Sequence, residues 1–383
     1  MSEKHALVFG ASGLAGWAVV DQLLRDYPSA GTFKSVTALV NRPLSVKDSH
    51  WPIGDLKSEL HLVSGVNLLE GTVQEFGEKL KSKVPGISHV THVYYFAYKQ
   101  ESDPHVQTAT NCDMLKRAVG ALNDLCPSLK FIVFPSGTMG YGIYLPGGHF
   151  KAPLVETMDP MPEPYRSEGW YYAFKEILRE GSKDRAWTWC EVRPDIIVGF
   201  APNGSANSLA GHWATYLSLY ALVEGRGAEV PFPGSEGAYT ALSTDAASTT
   251  IARASIWASL HAEKTREQLY NIADEPKPLA MKERWPRLAA YFGLVGVGPA
   301  PEGSEVVRPA EYCRKHAHVL EEHGIKMEVS QGDGLDAFVG YHLDFNRQLD
   351  TGKIRAAGFD EKSDAVEGWL RAFDRFKAAG IIV

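Results

Sequence analysis

Two hydrophobic periods alternate along the first half of the chain. Short and almost wholly apolar runs recur at 5–9, 36–41, 60–66, 89–97, 130–134 and 187–192, the pattern of strands covered on both faces. Between them apolar residues step by three and four: Trp17, Val20, Leu23 and Leu24, then a polar-faced stretch over 72–83, then Met114, Leu115, Ala118, Val119 and Leu122 within 106–126. Strands separated by helices of this length predict an α/β fold with a doubly wound parallel sheet.

From Asn207 onward the period is helical, over 209–223 and 241–260, with a short strand at 270–273 expected to return to the sheet. The chain therefore divides into a nucleotide-binding domain at 1–205 and a smaller, mostly helical substrate lobe at 206–383. The segment 299–304 reads as a surface loop. No internal repeat stands out.

The first strand runs into Gly10-Ala11-Ser12-Gly13-Leu14-Ala15-Gly16. Gly10 suits a sharp turn, Gly13 lets backbone approach a pyrophosphate, Gly16 lets the helix pack on the strand, and amides from Ser12 to Leu14 would face phosphate. This strand–turn–helix context makes the fold Rossmann-type and predicts a dinucleotide cofactor. The second strand ends Asn41-Arg42-Pro43 without an acid. An acid there would bind the ribose 2′-hydroxyl of NAD, whereas Arg42 suits the 2′-phosphate of NADP; a solvated loop cation is the plainer alternative. Asn67 and Leu68 stand where extended reductases, which this stretch resembles, contact the adenine, Ala97 and Tyr98 should lie beside the ribose, and Asn111 on the following helix reads either as bonding backbone or water near the cofactor or as a polar residue facing solvent. Ser136 ends the fifth strand, where ligands of parallel sheets bind. The glycine-rich loop over 137–150 reads as a flap or an ordinary long loop.

Composition narrows the function. Hydrophobic residues make up 44% and charged residues 22%, and the net charge of −7 has both signs interspersed, so no basic stripe for nucleic acid is present. No apolar stretch approaches ~20 residues, and no leader pattern opens the chain, so a cytoplasmic protein without a membrane span is expected. The four cysteines lack metal or disulfide spacing, and no metal site is expected from the histidines.

The chemistry concentrates in Gly169-Trp170-Tyr171-Tyr172-Ala173-Phe174-Lys175. Tyr171 and Lys175 are four apart, on one helical face. The pair resembles that of short-chain reductases, where the phenol gives a proton to, or stabilises negative charge on, the substrate oxygen while the ammonium lowers its pKa and holds the nicotinamide ribose. Tyr172 lies ~100° around the helix, and periodicity leaves open which phenol meets the cofactor. Pro194 and Ile196, after the sixth strand, should form a backbone wall beside the nicotinamide. Trp213, Tyr216, Tyr220 and Phe232 read either as the lining of an apolar pocket or as core.

These stretches, with Arg193-Pro194, Gly199-Phe200-Ala201-Pro202, Asn207 and Ser243-Thr244-Asp245, resemble the progesterone 5β-reductase/iridoid synthase-like (PRISE-type) extended short-chain dehydrogenase/reductases. The similarity runs in order over nearly the whole chain. It implies NADPH-dependent 1,4-reduction of an enone or enal and, from the family pattern Asn-Phe-Tyr-Tyr, a catalytic Tyr172. The family asparagine is replaced by Gly169. The family lysine, in a run matching 136–141, is replaced by Met139, and a thioether cannot supply its charge. With Tyr141, Tyr98, Asn207 and Trp213, Met139 is expected at the substrate.

The expectation is an NADPH-dependent reductase of an apolar, natural-product-like α,β-unsaturated carbonyl. Ketone or aldehyde reduction through Tyr171 and Lys175 is one alternative. A non-redox cyclase or isomerase on the same scaffold, prompted by Met139, is another. Association as a homodimer stays open.

Overall fold

The computed structural model describes residues 3–145, 150–202, 204–205, 207–301, 304, 308–325 and 333–383. The apolar runs become β1 (His5–Phe9), β2 (Ser35–Leu39), β3 (Glu59–Val63), β4 (His92–Tyr95), β5 (Phe131–Pro135) and β6 (Thr188–Pro194). Four short strands, β7 (Ile197–Val198), β8 (Glu229–Phe232), β9 (Ala246–Ala247) and β11 (Val295–Pro299), lie outside the main sheet, whereas β10 (Gln268–Ile272) joins it. The sheet is parallel, in the order β10-β6-β5-β4-β1-β2-β3. Strand order reverses between β1 and β4, where crossovers leave on opposite faces and open a crevice at the strand ends.

Alternation of side chains along each strand splits the core in two. Ala6 and Val8 of β1 pack with Trp17, Leu23 and Ile251, beneath helices Leu14–Leu24 and Ser248–Leu260. Leu7 and Phe9 pack with Leu115, Phe174 and Leu178, beneath Pro104–Leu125 and Trp170–Ser182. Part of the second half thus covers and extends the sheet.

Two sequence expectations are trimmed. The apolar run 89–97 narrows to four strand residues, preceded by a single turn at Ile87–His89. The helical stretch 241–260 starts only at Ser248, because β9 pairs with β7 and the Ala247 amide donates to Asp274 Oδ1 at 2.9 Å. The loop residues 146–149, part of the expected flap, lie outside the described residues.

Helices Leu209–Glu224, Met281–Tyr291 and Glu367–Ala378 meet through three tryptophans. Trp213 stacks on Trp369 with ring centres 5.1 Å apart and meets Trp285 edge-on at 5.3 Å. It is a core residue of this lobe, and the expectation that it lines the substrate pocket is corrected. Among the described residues no helix is long and apolar enough to cross a membrane, and no cluster suited to a metal ion occurs. All four cysteines are buried and free.

Candidate active site

A cleft of about 650 Å³ opens at the C-terminal ends of the sheet. Its first wall is the glycine turn. Gly10 has φ +70°, and a Cβ there would sit 2.5 Å from the Phe96 carbonyl oxygen, so only glycine lets β1 turn under the β4 loop. Gly16, expected at the cofactor, is not part of the cleft wall; a Cβ there would run into the Gly10 carbonyl, so its bare backbone lets the helix pack onto the turn. Gly13 is the N-cap of helix Leu14–Leu24, with neither a side-chain cap nor an acid in the first turn. The positive helix end therefore faces the cleft, where Gly10, Ser12, Gly13 and Leu14 line the wall.

Along this wall follow Asn41, Arg42, Asn67 and Leu68. Arg42 is exposed. Asn67 Oδ1 accepts from the Leu69 amide at 3.1 Å, and its amide nitrogen donates to Glu70. Arg117, which the sequence did not single out, braces this loop by donating to the carbonyls of Leu68 and Gly71.

Ala97, Tyr98 and Lys99 form the far lip. Asn111, fully buried, accepts from the Lys99 amide at 2.9 Å and donates to the Lys99 carbonyl at 2.8 Å, which fixes the lip from behind. Tyr98 donates to Gln107 at 2.8 Å, and its phenol is pushed up to about 12, first by burial and then by Glu101.

The two neighbouring tyrosines part company. Tyr171 lines the cleft beside Ser136–Met139; a Cβ on Gly137 would lie 3.1 Å from its hydroxyl. Burial pushes this phenol up, Tyr98 adds to the effect, and Arg193 opposes it. Tyr172 turns away: its hydroxyl donates to the Gly140 carbonyl at 2.9 Å and accepts from the Met161 amide at 3.1 Å. Tyr172 is thus absent from the cleft wall and serves as a brace between Gly140 and Met161, which corrects its expected placement at the cofactor.

Lys175 is also displaced from its expected role. Its ammonium lies 3.4 Å from Glu191 Oε2 and 5.1 Å from the Tyr172 ring centre, behind the cleft wall. Glu191 and Arg193, two apart on β6, share one sheet face. Arg193 Nη2 donates to Glu191 Oε1 at 2.6 Å, and Ser136 donates its hydroxyl to the same oxygen. Burial would push the Glu191 carboxyl up, but Arg193, Lys175 and Ser136 outweigh it and hold it below its usual range. Two charged residues inside an otherwise apolar strand were the signal that could have revealed this cluster.

Two further expectations change, and one wall residue is added. Tyr141 is buried, donates to Asn271 Oδ1 at 2.7 Å and carries Arg193 4.4 Å above its ring, so it is not part of the cleft wall. Pro194 is passed over in favour of Asp195, Ile196 and Ile197. Asp195 was missed as a wall residue: Oδ1 accepts from Thr138 at 2.6 Å and Oδ2 from Arg347 at 2.9 Å, joining the C-terminal segment to the cleft. Burial pushes its carboxyl up despite Arg347 and Thr138. Met139 and Asn207 do line the cleft, with Ile143, Leu209, Leu335, Phe338 and Leu343.

Sheet order, glycine turn and cleft-facing tyrosine define a Rossmann-type short-chain dehydrogenase/reductase. The chain belongs to the family described as the PRISE-like Rossmann-fold domain, which matches residues 6–383. It is 35% identical to the short chain dehydrogenase ausT of Aspergillus calidoustus, over 100% of this chain and 95% of the relative. It is 28% identical to the (S)-8-oxocitronellyl enol synthase ISY2 of Nepeta cataria, over 79% of this chain and 71% of the relative. Among solved structures it resembles a UDP-glucose 4-epimerase of Thermus thermophilus in complex with NAD, with TM-score 0.59 and 18% identity over 98% of this chain and 99% of the other.

Proposed function

We propose that this protein is an NADPH-dependent reductase of α,β-unsaturated carbonyl compounds, acting by 1,4-addition on an apolar, uncharged substrate. The observation that carries the reading is the make-up of one cleft. A glycine turn at an uncapped helix end and the Tyr171 phenol share it with a wall of Met139, Ile143, Leu209, Leu335, Phe338 and Leu343.

The residues present fit the cofactor. Gly10, Gly13 and the amides around Ser12 and Leu14 would take the pyrophosphate, Asn67 and Leu68 the adenine, and Ala97, Ser136 and Ile196 the nicotinamide side. Arg42, exposed and without an ion pair to a described carboxylate, suits the 2′-phosphate and favours NADPH. When bound, NADPH supplies the hydride that reaches the substrate's β-carbon.

Tyr171 then carries the protein's share of the chemistry. Its hydroxyl donates to the substrate carbonyl oxygen and steadies the negative charge as an enolate develops. A relative named as an enol synthase supports this electron flow.

The test offers the full-length protein NADPH deuterated at the transferred position and a panel of apolar enals and enones. Stoichiometric NADPH loss with deuterium on the β-carbon is expected. Deuterium on the carbonyl carbon would shift the assignment to ketone or aldehyde reduction, and product without NADPH loss would shift it to an isomerase or cyclase.

A further inference from the structure

Tyr171 needs a positive charge nearby if its phenol is to give up or share a proton readily, and the cleft wall does not supply one at that point. Among the described lining residues the cations are Arg42, on the β2 end, and Lys99, half exposed at the lip and 4.0 Å from Glu101. The position facing the substrate beside Tyr171 is Met139, which is uncharged.

Behind the wall the situation differs. A Cβ on Gly140 would lie 2.9 Å from Arg193 Cζ and 3.1 Å from Tyr171 Cδ2, so guanidinium and phenol ring converge on one spot too tight for a side chain. Arg193 is 3% exposed and Glu191 0%, so their charges are poorly screened by water. Lys175 shares the same carboxylate, so two cations meet one anion and the cluster keeps one net positive charge. The titratable groups whose charge acts on the Tyr171 phenol are Tyr98, Arg193, Glu191 and Tyr144.

We propose that Arg193 is the positioning residue that supplies positive charge to Tyr171 from beneath the cleft, with Glu191 and Lys175 setting how much of that charge the phenol feels. This rests on the reading of Tyr171 as the working phenol. The sign of each member's effect follows from its charge. Arg193 eases ionisation of Tyr171, Glu191 resists it, and Lys175 eases it indirectly by neutralising Glu191.

The experiment places difluorotyrosine, which ionises in the neutral range, at position 171 of the full chain and follows its fluorine NMR signal with pH, without nicotinamide or substrate. Arg193→Gln is expected to raise the ionisation midpoint by about one pH unit, Glu191→Gln to lower it, and Lys175→Met to raise it by less. Arg193→Lys should restore the midpoint, which a purely structural role would not produce. Circular dichroism melts check folding; should the Arg193 or Glu191 variants not fold, Lys175→Met, at a partly exposed site, decides alone. An unmoved midpoint in Arg193→Gln, an unmoved midpoint in Lys175→Met where only that variant folds, or a shift of the same sign in Glu191→Gln, overturns the proposal. Because no turnover is measured, failure of the enone-reductase reading leaves this result intact, and the reverse holds too.

Discussion

Tyr171 and Tyr172 are consecutive on one helix, yet only the first opens onto the cleft, while the hydroxyl of the second is held by the Gly140 carbonyl and the Met161 amide. The division follows from how the helix is seated. Phe174 and Leu178 are its buried anchors against the sheet, and Trp170 packs on both Phe174 and Tyr171, which leaves Tyr172 on the side of Gly140 and Met161.

Removing each hydroxyl in turn separates the two roles. Tyr171→Phe should lower kcat with an apolar enone by on the order of 10²–10³-fold, the usual loss of one oxyanion donor, with little change in melting temperature. Tyr172→Phe should leave kcat within a few-fold but cost about 1 kcal/mol of stability, since two backbone groups lose their partner. Steady-state kinetics and urea titrations of both variants check this, and a larger kcat loss in Tyr172→Phe would reverse the assignment.

Arg42 offers a second test. Arg42→Ala should raise the KM for NADPH on the order of ten- to a hundredfold, the worth of a charge-assisted hydrogen bond, and leave that for NADH unchanged. Equal changes for both nucleotides would mean that the side chain does not meet the 2′-phosphate.

Trp213 belongs to the core and not to the cleft, and its removal should behave accordingly. Trp213→Ala empties a site shared with Trp285 and Trp369 and should cost about 3–5 kcal/mol in chemical denaturation. At a temperature where the variant is still folded, its substrate KM should stay close to that of the parent.

A pH signature resides at Asp274. Oδ1 caps helix Ser248–Leu260 through the Ala247 amide and also accepts from Thr250, whereas Oδ2 is buried without a partner among the described residues. Burial pushes the carboxyl up to about 7, against the pull of Thr250 and Ala247. The unfolded chain therefore releases this proton first as pH rises, and the stability present below the ordinary carboxylate range is lost on the way up to about pH 7. Asp274→Asn should flatten that slope, so that the variant gains roughly 2–4 kcal/mol on the parent between pH 5 and pH 8, at ~1.4 kcal/mol per unit. Parallel denaturation curves at the two pH values would show that Asp274 does not titrate in this window.

How much could be read from the sequence varied by kind of residue. Gly10, Ser12, Gly13, Leu14, Asn41, Arg42, Asn67, Leu68, Ala97, Ser136, Met139 and Asn207 all line the cleft, since a parallel sheet sends its strand ends to one edge whatever the side chains do. Strand and helix order were equally legible, because apolar runs and three-to-four periodicity are local properties. The resemblance carried the family, which the match over residues 6–383 bears out.

Rotations and partners were beyond it. Lys175 was matched to Tyr171 by its four-residue spacing but is drawn to Glu191, and Tyr141 leaves the loop to reach Asn271, 130 residues away. Trp213 has the spacing of a pocket stripe and ends in a stack of tryptophans. In each case the deciding contact joins residues far apart in the chain. Sequence alone determined which elements exist and which ends meet at the cleft. Only the packed structure decided which side of each element faces it, because that choice is made by burial against distant neighbours and by buried charges that must find opposite partners.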